Sequence, residues 1–242
     1  PVIESALDPT AVSRAGAVGL WQFMLATGKR YDLEVNSLID ERKDPIKSSY
    51  AAAKYLKDLY SIYGDWNLVI AAYNCGPGNV NKAIHRSGGS TDYWVIYPYL
   101  PKETRGYVPA FIAANYIMNY YCEHNICPMK TSHPVTTDTI IVTRDVHMRQ
   151  IAELCDIYVA AVKGLNPQYR TEIIPGLSKP CVIRLPQETI TKFITWKDSI
   201  YNYKADELFK RRATVAVSEN TYIKGKSSSK AKQKTGKGKY VV

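Results

Sequence analysis

Helix punctuation constrains this chain more than any other feature. Asp44-Pro45 supplies a capping carboxylate and then a proline suited to a first helical position. Ala52, Leu56, Leu59, Tyr60 and Tyr63 follow at helical spacing until Gly64. Asp65 caps a second helix, Trp66 to Asn74, whose run Leu68-Val69-Ile70-Ala71-Ala72 is apolar nearly all round and therefore belongs in a core. Gly76-Pro77-Gly78 breaks it, and Asn79 to Arg86 predicts a short helix closed by Gly88-Gly89. Tyr97 to Pro101 reads as irregular, and a long apolar helix is expected from Lys102 to about Tyr121. Nothing before residue 130 alternates as a strand does, so residues 1–128 predict an all-helical unit.

The pattern then changes. Residues 129–138 read as a polar linker containing Pro134. Thr139 to Thr143 is β-branched and strand-like, and Cys181 to Leu185 is a second strand. Between them, Met148, Ile151, Ala152, Leu154 and Cys155, then Val159, Val162 and Leu165, fall at helical spacing. Strand, two helices and strand over residues 139–187 predict a small α+β module. Residues 188–213 read as a helical extension. Residues 214–242 form a Lys-rich linker ending in a strand-like Tyr240-Val241-Val242. The fold class expected is therefore mainly α, an all-helical unit plus a small α+β module.

Composition removes several functions. The chain has 242 residues, 45% of them apolar, and no run of 18 apolar residues to span a membrane. Its +10 net charge is a property of the tail. Seven lysines lie between Lys224 and Lys239, and without them the charge is about +3. No basic domain face remains, so no nucleic-acid partner is expected. The five cysteines form no CxxC pair and read as small hydrophobes, and the four histidines lack ligand spacing. No metal and no cofactor is expected. The opening apolar run and the strand-like end suggest a piece cut from a longer chain.

Chemistry concentrates in Pro1 to Met24. Glu4 lies in an apolar run with Val2, Ile3, Ala6 and Leu7. A carboxyl with apolar neighbours loses hydration, its pKa rises, and it stays protonated closer to neutral pH. That suits a general acid for a leaving oxygen, as in glycoside cleavage. Gln22 lies in a second apolar run, Gly19 to Phe23. Asp8 is the other nearby acid, but before Pro9 it is better suited to an Asx turn than to chemistry.

Four blocks stand in order: Glu4-Ser5, Ala15 to Met24 (AGAVGLWQFM), Ala71 to Val80 (AAYNCGPGNV) and Glu103 to Val108 (ETRGYV). Together they resemble the soluble-lytic-transglycosylase, lysozyme-like catalytic domain over roughly residues 1–125, nearest to the membrane-bound lytic murein transglycosylase D group. The resemblance implies peptidoglycan glycan strands as substrate. Glu4 would protonate the β-1,4 glycosidic oxygen between N-acetylmuramic acid and N-acetylglucosamine. It would then act as base on the C6 hydroxyl, which closes a 1,6-anhydro ring. Ser13, Gln22, Met24, Tyr73, Asn74, Glu103 and Tyr107 match substrate-contacting positions. Trp21 and Cys75 depart from commoner versions without removing a polar group.

Residues 139–186 resemble a LysM domain, with Ile151-Ala152, Leu165-Asn166-Pro167 and Ile183 to Pro186 in place. The opening Asp145-Val146-His147-Met148 stands where that family has Gly-Asp-Thr-Leu, and an insertion follows Gly176. The Lys-rich tail would lead to another such unit. The resemblance also implies a periplasmic, cell-envelope location, with membrane attachment through sequence preceding Pro1. Two alternatives share the cleft: a lysozyme-type hydrolase using water, and a non-catalytic peptidoglycan-binding protein.

Overall fold

The computed structural model describes residues 1–129, 134 and 136–210. The first unit is helical. Its helices are α1 (Val2–Ser5), α2 (Leu25–Arg30), α3 (Pro45–Tyr63), α4 (Trp66–Cys75), α5 (Pro77–Arg86), α6 (Tyr93–Ile96) and α7 (Lys102–Tyr120). Asp44 caps α3 as its sequence demands, accepting from the amides of Ile46 and Lys47 at 2.9 Å each. Gly64 ends α3 in the left-handed region, where a residue with a Cβ would be strained. Asp65 caps α4 through the Leu68 amide. Leu68 to Ala72 are buried, and with Leu59, Val80 and Val108 they form the core against which α3, α5 and α7 pack. Tyr60, at core spacing in sequence, is instead exposed and lies against Trp66. The inward faces of α3 are Ala51, Ala52 and Leu59, with half-buried Tyr55 alongside.

The second unit contains β1 (Thr137–Val142), β2 (Asp145–His147), α8 (Met148–Cys155), α9 (Val159–Leu165), β3 (Ile173–Pro175), β4 (Cys181–Pro186), α10 (Gln187–Thr195), α11 (Lys197–Asn202) and α12 (Ala205–Leu208). β1 pairs antiparallel with β4, from Thr137 opposite Pro186 to Val142 opposite Cys181. β2 and β3 form a second antiparallel pair absent from the sequence reading. Each has only three residues, too few to alternate visibly. His147 opens α8 with a capping box shared with Gln150. Gly176 lies against the Arg144 carbonyl, where an added Cβ would come within 2.3 Å. Ile190, Phe193, Ile200 and Tyr201 of α10 and α11 belong to the same core as Ile151, Ile174 and Ile183. The helices read as an extension are thus packed into the module.

Cys155 and Cys181 are buried as small hydrophobes, whereas Cys122 and Cys127 are exposed, so that expectation fails for the latter pair. The Lys-rich segment and the strand-like end lie outside the described residues, as do residues 130–133 and 135 of the expected linker.

Candidate active site

α1 carries Glu4 and stops abruptly, with Ala6 and Leu7 both at positive φ (50° and 67°). Ser5 ties this turn to the next segment: its Oγ lies 3.0 Å from the Leu20 carbonyl. Residues 18–23 form a tight reversal in which Val18 and Phe23 exchange backbone hydrogen bonds of 3.1 Å. Gly19 and Gln22 take positive φ inside it, and a strained non-glycine residue such as Gln22 persists only where its surroundings hold it. The Gln22 amide nitrogen donates to the Gly19 carbonyl at 2.8 Å, leaving its carbonyl oxygen for the cleft.

Opposite stands the end of α4. Gly76 is its C-cap. The buried Thr104 hydroxyl donates to Asn74 Oδ1 at 2.9 Å, which leaves the Asn74 amide N–H free for a ligand. The Tyr73 hydroxyl donates to the Trp21 carbonyl at 2.8 Å and so locks α4 to the 18–23 reversal. Ser13 accepts from the Ala17 amide at 3.0 Å. From α7, Tyr107 donates its phenolic hydrogen to Glu4 Oε1. Glu103 is exposed in the first helical turn, where the helix dipole favours an acid. Arg105 donates to the Leu100 and Pro98 carbonyls, at 3.0 and 2.7 Å, rather than to Glu103.

All eight residues singled out from sequence line one cleft of about 630 Å³: Glu4, Ser13, Gln22, Met24, Tyr73, Asn74, Glu103 and Tyr107. Tyr55, Thr27 and Cys75 line it too and were missed. The Tyr55 ring lies tilted against Tyr73 at 5.3 Å, and Tyr55 sits three residues after Ala52 on α3, a helical spacing that could have placed it. Asp8 does not line the cleft. It accepts from the amide and hydroxyl of Thr10, both at 2.7 Å, in a local turn that holds its pKa down.

Burial pushes the Glu4 carboxyl above the ordinary glutamate range; the Tyr107 hydrogen bond and the Pro1 ammonium oppose that, and nearby Glu103 adds to it. A largely apolar groove of about 300 Å³, with Val2, Trp66, Ile70 and Phe111 in its wall, adjoins the cleft and shares Glu4, Tyr73 and Tyr107 with it. Glu4 therefore has apolar surface on one side and a polar-walled cleft on the other. No lysine or arginine pairs with it among the described residues. Tyr107 engages Oε1 of the carboxyl.

An acid raised by burial, held by a phenol and opened to a polar cleft has the chemistry to give a proton to a group bound there. Residues 1–96 match the Transglycosylase SLT domain, and residues 136–202 match the LysM-like domain of lytic transglycosylase MltD. The chain carries these two domains in that order. It is 33% identical over 192 residues to membrane-bound lytic murein transglycosylase D of Escherichia coli, covering 78% of this chain and 42% of that protein. It is 39% identical over 101 residues to membrane-bound lytic murein transglycosylase F of Maricaulis maris, covering 38% of this chain and 21% of that protein. The chain thus spans less than half the length of these relatives. Glu103 and Tyr107 lie beyond the SLT match, and it is the fold that brings them to Glu4.

Proposed function

We propose that this chain is a lytic transglycosylase acting on the β-1,4 bond between N-acetylmuramic acid and N-acetylglucosamine in peptidoglycan. Glu4, protonated on Oε2, gives its proton to the glycosidic oxygen as the bond to C1 breaks. The resulting carboxylate takes the proton of the C6 hydroxyl as that oxygen bonds to C1. The product is a 1,6-anhydro-N-acetylmuramic acid end, no water is consumed, and Glu4 is protonated again. One carboxyl suffices because the substrate supplies its own nucleophile. Ser13, Gln22, Asn74 and Glu103 offer polar groups to the sugars, while Met24 and Tyr73 provide wall.

The observation that carries this reading is the position of Glu4: raised by burial, held at one oxygen by Tyr107, and facing a cleft from which Asp8 is absent. The relatives named membrane-bound lytic murein transglycosylase support a cell-envelope location. No helix among the described residues is long and apolar enough to cross a membrane; membrane attachment would come from other sequence. Digestion of purified peptidoglycan followed by mass spectrometry tests the proposal. Anhydro-terminated muropeptides are expected. Ends heavier by one water would make the chain a hydrolase, with Glu103 the second carboxyl to examine. Bound glycan without products would make it a binding protein.

A further inference from the structure

The two units share a seam far from Glu4 in sequence. Residues 38–40 pair antiparallel with residues 168–170: the Asp40 amide donates to the Gln168 carbonyl and the Arg170 amide to the Leu38 carbonyl, each at 2.8 Å. Ile39, from the first unit, is 3% exposed and sits in the hydrophobic core of the second. Lys179 of the second unit pairs with Glu34 and lies 3.9 Å from Glu41. Arg170 lies 3.6 Å from Asp40 Oδ2. A hydrophobic anchor, two backbone bonds and three ion pairs converge on the 34–41 segment.

That segment leads straight to the cleft wall. Asp40, 1% exposed, grips Arg42 with two parallel bonds, to Nε at 2.9 Å and Nη2 at 2.8 Å. The buried Arg42 uses Nη1 to donate to the Phe23 and Gly16 carbonyls at 3.2 and 3.4 Å. Its own carbonyl presses on Gly19, where an added Cβ would lie 1.9 Å away. Arg42 thus holds residues 16–23 at Gly16, Gly19 and Phe23, a segment that contains the 18–23 reversal with Gln22 and is followed by Met24. A buried guanidinium is tolerated only with its partner in place, so what orients Asp40 also orients this wall.

We infer that the LysM-like unit is a positioning element for the cleft: through Arg170, Asp40 and Arg42 it holds the Gln22–Met24 wall in register with Glu4. Arg170 is the positioning residue that crosses the seam. Its consequence for turnover rests on the transglycosylase proposal; the mechanical coupling does not.

The test uses the full chain with Arg170→Glu and Arg170→Lys. Hydrogen–deuterium exchange followed by mass spectrometry reads the coupling without any reaction. For Arg170→Glu, amides of residues 16–24 should exchange about tenfold faster while those of residues 68–72 keep wild-type protection. On peptidoglycan, kcat should fall about tenfold with KM within about twofold, since small displacements of positioned groups act on turnover. Arg170→Lys, which keeps the charge, should restore both. Loosening of residues 34–41 with unchanged exchange in residues 16–24, or faster exchange there with unchanged kcat, overturns the inference. A wild-type chain without turnover would sink the transglycosylase proposal, and the exchange result would still decide the coupling.

Discussion

Asp40 and Glu4 are both withdrawn from water, and they have opposite surroundings. Asp40 at the seam is met by Arg42 with two parallel bonds and by Arg170 across the unit boundary. Glu4 in the cleft is met by a phenol and apolar side chains, with no cationic side chain paired to it among the described residues. The compensated acid builds structure, because its charge is stabilised where it sits. Burial outweighs the Tyr107 hydrogen bond at Glu4 and raises its pKa, which suits the proton donor proposed above. Burial alone does not set the role of a carboxyl; whether a guanidinium or ammonium side chain is paired with it decides which protonation state burial favours.

The comparison is broken most strongly by removing the proposed proton donor. Glu4→Gln keeps the shape and should lower turnover by about 10³-fold, within the range for loss of a positioned general acid, while saccharide binding persists. Glycan release assays alongside binding isotherms check both halves. The same variant should be more stable than wild type at neutral pH, because it abolishes a charge the fold disfavours. A carboxyl whose folded pKa is raised contributes its full stability below the ordinary glutamate value and loses it as pH rises through the folded value. The gain in Tm should therefore vanish in acid, which thermal melts across pH would show.

At the seam, Asp40→Ala strands the Arg42 guanidinium and should cost about 3–5 kcal/mol, measurable by denaturant unfolding. Tyr107→Phe should have a smaller effect. The phenol favours the carboxylate, so its removal raises the Glu4 pKa further and moves the alkaline limb of the kcat–pH profile upward. Turnover at the optimum should drop only about threefold. Asp8→Asn is the smallest change: Asp8 is engaged with Thr10 outside the cleft, so activity should stay within about twofold.

The cleft was legible in sequence and the seam was not, for physical reasons. Caps and breakers are local, so Asp44-Pro45, Gly64, Asp65 and Gly76 fixed α3 and α4 to within a residue or so. The cleft residues sit in short blocks whose order resembles a family, and all eight converged. Asp40, Glu41 and Arg42 were not singled out in sequence, yet all three are buried. Their partners Arg170 and Lys179 are remote in sequence, and no local periodicity reports a pairing that only the tertiary fold creates. Tyr55 was passed over because α3 turns Ala51, Ala52 and Leu59 inward and exposes Tyr60, a small rotation of the face read from sequence.

The central claim is that burial, with no lysine or arginine paired to it among the described residues, raises the pKa of Glu4. NMR titration of the Glu4 side-chain carboxyl in the ligand-free full chain, assigned through Glu4→Gln, tests it most directly. Titration above the ordinary glutamate range, moving higher still in Tyr107→Phe, is the predicted result. Titration at or below that range would contradict the account and return the search for the proton donor to Glu103.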